Sequence, residues 1–337
     1  MFTTAFIGTG GIANAHAKAL QKLGVRITGC YDKCYEAAYE FATMYGTTAY
    51  NNPWDAMKDA DIVHLCTPPG KRIEYLEMAM KAGKHIFSEK PIAASLEDGE
   101  KFVEMEKKYG VRTAVSFVHS YRDPFMDFQK KIRSGMCGKI NTVYCYRGSM
   151  IGQTGGQRAK SWRTEPGLVC GMTIESVSHE IDMLLQLEMK PVCVRAATVF
   201  ASKIELPEFD DNVEVIFDLE QGGTYILHAS WGNYIPYGMR GVIGDRGAVA
   251  MKGTDAFDFD EIRWRTADSR QQNAVYYNQP YSYEIEAFVR VNQMLIDAIE
   301  QNTTCKVDAA YGLKVLQISH KILEAARTKR AIRLADI

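Results

Sequence analysis

Two short stretches of this 337-residue chain combine reactive side chains in an order that chemistry could use. In the first, Ser88-Glu89-Lys90-Pro91, a carboxylate and an ammonium close an apolar run, KHIFSEK. A lysine there can donate to a hydroxyl oxygen and stabilise a forming alkoxide, while the proline fixes the turn that carries it. In the second, Glu175-Ser176-Val177-Ser178-His179-Glu180-Ile181-Asp182, a glutamate precedes a histidine by one helical turn, so in a helix the two share a face. A histidine oriented by a carboxylate serves as general base or acid. Each stretch has a plainer reading as well: Glu89-Lys90 as a solvated charge pair, His179 as a structural residue on a half-apolar helix. Met183 stands where HExxH needs its second histidine, so no metal site is expected there.

The elements that must position these residues change character along the chain. Up to about residue 120, β-rich runs (2–8, 25–32, 61–68, 84–90 and 112–118) alternate with helical runs that end in glycine. Strands alternating with helices imply a parallel sheet with right-handed crossovers, the doubly wound α/β class. Beyond residue 120 a helix is expected at 123–135, a strand at 140–148, a glycine-rich loop, and a helical run at 171–187 that carries Glu175 and His179. Strand then follows strand, with a hairpin turn at Gln221-Gly222-Gly223. Two helical stretches close the chain, at about 283–301 and 309–328. The expectation is therefore two domains, 1–120 α/β and 121–337 α+β on a largely antiparallel sheet.

Between the first strand and the first helix lies Gly8-Thr9-Gly10-Gly11-Ile12-Ala13, a GxGxxA pattern. Gly8 permits the tight turn, Gly10 lets a pyrophosphate approach the backbone at the helix's positive end, and Ala13 permits close helix–strand packing. An acidic residue, Asp32, ends the second strand about 20 residues on, as a dinucleotide site requires. Its carboxylate suits the two ribose hydroxyls of NAD and repels the 2′-phosphate of NADP; the neighbouring Lys33 softens that repulsion, so NAD is expected and NADP disfavoured. Thr67-Pro68-Pro69 follows another strand and reads equally as a crevice wall or as an ordinary rigid turn.

Composition narrows the partners. With 40 basic and 41 acidic side chains the net charge is −1, which gives no footprint for nucleic acid or an anionic membrane. No run approaches the length of a membrane span, and no secretory leader is read at the N-terminus. The eight cysteines contain no CxxC pair and read as reduced thiols, so the expected setting is the cytoplasm.

Taken together, GTGGIA, CTPPG, AGKHIFSEKPI and SWRTEPG…GMTIESVSHEID resemble the Gfo/Idh/MocA oxidoreductases, from the first strand to the last helix. The resemblance implies a Rossmann domain followed by a C-terminal domain on a large, open, mostly antiparallel sheet that commonly forms homodimers or homotetramers. It implies an NAD-dependent dehydrogenase acting on a hydroxyl of a sugar, glycoside or cyclitol. Lys90 falls on the family's EKP lysine, His179 on its catalytic histidine, and Glu175 where many members carry aspartate. Trp162-Arg163 matches a common Trp-Arg, and Gly244 and Gly247 match a turn between two sheet strands. Substrate contacts are expected from Lys90, His119, Tyr121, Arg122, Trp162, Arg163, Glu175 and His179. The expected cofactor contacts are Gly8 to Ala13, Asp32, Lys33, Thr67, Pro68, Glu89 and Lys90. In this scheme Lys90 and His179 flank the substrate hydroxyl beside the nicotinamide. Arg72 departs from the family, which often has histidine there, and Cys170-Gly171 replaces a more glycine-rich pair. Two other activities remain open within the family: glycoside cleavage through transient oxidation without net redox, and a non-catalytic dinucleotide-binding regulator.

Overall fold

The computed structural model describes residues 2–150, 162–165, 168, 170–202, 206, 209–277, 285–335 and 337. In chain order the elements begin β1 (Thr3–Ile7), α1 (Gly11–Lys22), β2 (Arg26–Tyr31), α2 (Tyr35–Tyr45), α3 (Pro53–Met57), β3 (Ile62–Leu65), α4 (Arg72–Lys81), β4 (His85–Glu89), α5 (Leu96–Tyr109) and β5 (Thr113–Ser116). Next come α6 (Asp123–Arg133), β6 (Ile140–Met150), α7 (Gly171–Glu175), α8 (Val177–Gln186), β7 (Pro191–Phe200), β8 (Asn212–Leu219), β9 (Thr224–Ser230) and β10 (Gly232–Gly244). The chain ends with β11 (Gly247–Gly253), β12 (Glu261–Thr266), β13 (Asn273–Tyr276), α9 (Ile285–Glu300), α10 (Ala309–Thr328) and β14 (Ile332–Arg333). The glycine-rich loop expected between 152 and 167 lies outside the described residues except for the short 3-10 turn Trp162–Thr164 and Glu165.

Two compact units emerge: Met1–Tyr121 with Tyr283–Leu316, and Arg122–Ser282 with Gln317–Ile337. The expected second domain of 121–337 is thereby corrected, because α9 and the start of α10 return to the first unit. The cause is packing. Ala287 and Phe288 of α9 bury against Ala15 and Ala19 of α1 and against Val118. The apolar period of 283–301 marks a buried face, and only the tertiary structure decides what covers it.

The first unit holds a five-stranded sheet in the order β2-β1-β3-β4-β5, parallel throughout. Its inner strands are buried on both faces, with every residue of β3 and all but the first of β4 buried, as a sheet covered by helices requires. Helix ends follow local chemistry. The Ser95 hydroxyl accepts from the Asp98 N–H to start α5, and Gly46 and Gly110 close α2 and α5 in the left-handed conformation at φ 65°. Strand order reverses at β1, with β2 on one side and β3 on the other. The crevice beyond the C-terminal ends of β1 and β3 is where such sheets bind ligands.

The second unit holds a nine-stranded sheet, β13-β12-β11-β10-β6-β9-β8-β7-β14. Only β6 and β9 pair in parallel; every other pairing is antiparallel. The Gln221–Gly223 turn joins β8 to β9, with Gly222 and Gly223 at φ 85° and 83°. Gly244 and Gly247 bracket the β10–β11 turn, and a Cβ on Gly244 would lie 2.0 Å from the Cys137 carbonyl oxygen. Val143, Cys145, Val215, Phe217, Leu227 and Val242 point to the buried face, and the alternate residues point away from it.

Candidate active site

The glycine turn sits at the crevice as its spacing requires. Gly8 has φ +90°, and a Cβ there would lie 2.8 Å from both the carbonyl carbon and the oxygen of Cys66. It is glycine because β1 and β3 end in contact. Gly10, the residue capping α1, makes no side-chain cap, and a Cβ on it would meet nothing within 4 Å. An uncapped helix start beside open space suits an anion, so the turn fits the diphosphate of a dinucleotide. Ala13 is fully buried. Asp32, half-buried, is oriented by the chain itself: Oδ2 accepts from the Thr9 N–H at 2.8 Å and Oδ1 from the Cys34 N–H at 3.0 Å. Lys33 is exposed beside it.

Because the sheet is parallel, the turns after β1, β3 and β4 share one edge. Gly8, Thr67 and Lys90 are therefore neighbours on that edge. The solvated-pair reading of Glu89-Lys90 does not hold, since Glu89 is only 7% exposed. Its Oε1 lies 2.9 Å from His16 Nε2, and its Oε2 accepts from the Lys90 N–H at 3.1 Å. Burial alone would raise this carboxyl's pKa. The hydrogen bonds with His16 and Ser116 and the Lys90 charge outweigh burial and hold it below the usual carboxylate range. Arg72, 4% exposed, lies between the two turns. Its Nε and Nη2 donate to the Thr67 carbonyl at 3.0 and 2.9 Å, and Nη1 donates to the carbonyls of Glu89 and Pro91. His119 is buried and Tyr121 half-buried at the end of this unit's first segment, where the Tyr121 carbonyl accepts from Arg290 at 2.7 Å.

In the second unit the helical run at 171–187 is not continuous. It breaks at Ser176, which ends α7 and begins α8. Gly171 starts α7 at φ 64°, and Asp210 caps that start by accepting from the Thr173 N–H and hydroxyl, each at 2.8 Å. Glu175 and His179 thus sit on either side of the break, both 5% exposed. The Glu175 carboxylate is gripped by Arg163, whose Nε reaches both oxygens at 2.9 and 2.8 Å and whose Nη2 reaches Oε1 at 2.6 Å. The Arg163 guanidinium lies 4.5 Å from the centre of the Trp162 ring, so these three residues form one cluster. His179 stands edge-on to Phe257, ring centres 5.4 Å apart.

Phe257 in turn faces two buried arginines, Arg147 at 4.7 Å and Arg240 at 5.5 Å. Both pair with Glu180, Arg147 at 2.8 Å and Arg240 at 2.6 Å, and Arg147 also donates to the Ser176 hydroxyl at 3.0 Å. Burial works to raise the Glu180 pKa, but the two guanidinium groups overcome it and the carboxyl is held low. Arg122 donates to the Phe257 carbonyl and lies over Phe259 at 4.6 Å, which gives it a packing role in this unit.

Sequence reasoning missed the supports: His16, Asn292, the Arg72 clamp and the Arg147–Glu180–Arg240 cluster. His16 carried a signal, a polar side chain on the face of α1 that also buries Ala13, Ala17 and Leu20. The rest depend on strand and helix neighbours that spacing does not disclose.

Residues 2–117 match the oxidoreductase family with an NAD-binding Rossmann fold, GFO/IDH/MocA, and residues 125–250 match the GFO/IDH/MocA C-terminal domain. The chain is similar to an inositol 2-dehydrogenase of Rhizobium meliloti (strain 1021), 26% identical over 98% of each chain. It is also similar to the scyllo-inositol 2-dehydrogenase (NADP(+)) IolW of Bacillus subtilis (strain 168), 25% identical over 81% of this chain and 79% of that one. Among solved structures, the WlbA dehydrogenase from Bordetella pertussis in complex with NADH and UDP-GlcNAcA has a TM-score of 0.84 at 22% identity, over 99% of this chain and 98% of that one. With both halves matched in order and the parallel and antiparallel sheets in place, the chain belongs to the Gfo/Idh/MocA family of oxidoreductases.

Proposed function

We propose that this protein oxidises a secondary hydroxyl of a cyclitol or sugar, or reduces the matching ketone, with NAD as the redox partner. The observation that carries the reading is the shared sheet edge. A glycine turn with room for a diphosphate, and a lysine on a buried turn one strand beyond Thr67, lie on the same side of one parallel sheet. The inositol dehydrogenases among its relatives support the substrate class.

Gly8 to Ala13 with Asp32, Thr67 and Pro68 would hold the dinucleotide, whose nicotinamide accepts or returns a hydride when bound. The chain's own groups handle the proton and the charge. Lys90 donates to the substrate oxygen and stabilises the alkoxide, and His179 takes the hydroxyl proton. Glu175 is held by Arg163, which stacks on Trp162, so its carboxylate is fixed at the end of α7, just before the helix α8 that carries His179. Asp32 favours NAD, although the Bacillus subtilis relative is named for NADP(+). If the carboxylate excludes the 2′-phosphate, Asp32→Ser narrows the preference for NAD over NADP by roughly tenfold or more.

A homo-oligomer formed through the open face of the nine-stranded sheet completes the proposal. Tyr146, Ile216, Met239 and Ile243 are each at least 36% exposed and share that face. A contiguous apolar surface of this kind is what a stable interface covers. Tyr146→Glu with Met239→Glu then yields monomers in sedimentation; an unchanged assembly removes this face from the interface. For the activity, the full chain is screened with NAD and NADP against inositols, aldoses and glycosides, and with NADH against keto-sugars. No change in nicotinamide absorbance with any of them would end the reading.

A further inference from the structure

We propose that Arg72 and His16 are positioning residues for Lys90, clamping its turn from two sides so that the ammonium is held in place before substrate arrives. The inference rests on the reading of Lys90 as the alkoxide-stabilising group.

The first side is a one-way chain of hydrogen bonds whose direction the geometry dictates. Asn292 Nδ2 lies 2.8 Å from the Phe288 carbonyl oxygen, which can only accept, so the amide orientation is set. Its oxygen therefore faces His64 Nε2 at 2.7 Å, and that nitrogen must carry a proton. His64 Nδ1 then presents a lone pair to the Thr4 hydroxyl at 2.7 Å. Burial pushes the His64 pKa down to about 3, in keeping with a neutral ring. The same amide nitrogen donates to His16 Nδ1 at 3.0 Å, which leaves His16 Nε2 as the donor to Glu89 Oε1 at 2.9 Å. Every bond thus points toward the Glu89 carboxylate, and aligned bonds in a buried chain strengthen one another. The far oxygen of that carboxylate holds the Lys90 N–H.

The second side is Arg72. Its guanidinium reaches the carbonyls of Thr67, Glu89, Lys90 and Pro91, the last contact to Lys90 being long at 3.5 Å. It thereby ties the turn that flanks the glycine loop to the turn that carries Lys90. A planar fork of five donors can bridge two turns, whereas a lysine ammonium with three donors on one atom cannot.

The test compares the wild-type chain with His16→Leu, His16→Gln and Arg72→Lys. Thermal unfolding verifies the fold, an NADH titration reads the cofactor, and competitive acetylation followed by mass spectrometry reads the reactivity of the Lys90 amine. His16→Leu removes the donor to Glu89. It should lower kcat roughly 10- to 100-fold, with KM and NADH affinity held within about threefold, because a small displacement of a reacting group acts on turnover. The Lys90 acetylation rate should shift by about threefold or more in the same variant. A glutamine amide N–H falls close to where His16 Nε2 stands, so His16→Gln should recover most of the loss. Arg72→Lys should reproduce the His16→Leu pattern. The proposal is overturned if folded His16→Leu and Arg72→Lys keep wild-type kcat and Lys90 acetylation, or if His16→Gln recovers nothing. Should His16→Leu not fold, Arg72→Lys, which keeps the buried charge, decides by the same measurements. If the wild-type chain oxidises no cyclitol or sugar, the functional reading has failed, and Lys90 acetylation alone decides the clamp.

Discussion

Gly8 and Gly10 stand two residues apart in one motif, yet alanine at each should fail in a different way. At Gly8 the backbone is at φ +90°, and the new Cβ would lie 2.8 Å from the Cys66 carbonyl and 2.9 Å from the Thr67 nitrogen. That backbone cannot yield cheaply. The Cys66 N–H donates to the Ile7 carbonyl at 2.8 Å, and the Thr67 carbonyl is held by Arg72. Left-handed strain costs about 1–2 kcal/mol and overpacking about 1–3 kcal/mol, so Gly8→Ala should lose roughly 2–5 kcal/mol. For a unit of this size the loss appears as a fall in Tm of about 4–20 °C. At Gly10 the backbone is extended, φ −66° and ψ −173°, and nothing lies within 4 Å of the added methyl. The reduced entropy of the unfolded chain and the poorer N-cap oppose one another, so Tm should move by no more than about 2 °C. The methyl fills the approach to the N-terminal N–H groups of α1. Losing one hydrogen bond to a charged phosphate, about 1.5–3 kcal/mol, weakens NADH binding roughly 10- to 150-fold. Tryptophan fluorescence with titrated NADH and differential scanning calorimetry read the two effects. Wild-type NADH affinity in Gly10→Ala would refute the placement of the diphosphate, and a wild-type Tm in Gly8→Ala would refute the contact argument.

Other consequences follow from individual groups. His179→Ala should lower turnover by about 10²–10⁴-fold while NADH binds as before; an unchanged kcat on the true substrate removes His179 from proton transfer. Burial lifts the Glu106 carboxyl from 4.5 to about 7, against the opposing Thr113 hydroxyl bond. The fold therefore keeps a proton that the unfolded chain has released, so this group's contribution is complete below about pH 4.5 and is lost as pH rises through 7. Glu106→Gln should remove that pH dependence and stabilise the protein at pH 8 by up to about 3 kcal/mol, and equal urea midpoints at pH 5 and 8 in the wild-type chain would contradict it. Glu180→Gln strands the Arg147 and Arg240 charges in the second unit's core and should cost roughly 3–5 kcal/mol in urea unfolding; a loss below about 1 kcal/mol would mean the cluster relaxes to water.

The first unit's architecture was legible because its information is local. Alternating β-rich and helical runs, closing glycines and GxGxxA each reflect the conformational limits of nearby residues, and the five strands and four main helices lie where those runs stand. The short α3 was not foreseen, since its five residues are too few to show a helical period. The second unit's strands were equally readable, but their order was not. β9 and β10 are separated only by Trp231, yet β6 lies between them in the sheet. The break at Ser176 was also hidden. The run from 171 to 187 keeps helical composition across it, and the break is accompanied by the Arg147 contact to Ser176 from β6.

What the sequence determined by itself is the set of groups and the elements that bear them: the glycine turn, Asp32, Lys90 at a strand end, and Glu175 and His179 on a helical run. These follow from short-range sterics and from the period of apolar residues. Only the tertiary structure decided what stands behind them. Glu89 is a buried carboxylate because α1 and α9 bring His16 and Asn292 beneath it, and Arg72 is a clamp because β3 and β4 end side by side. Glu175, the last residue of α7, answers to Arg163 of the short turn Trp162–Thr164. Such partners lie tens to hundreds of positions apart in the chain, and burying an apolar face selects them without leaving a periodic trace.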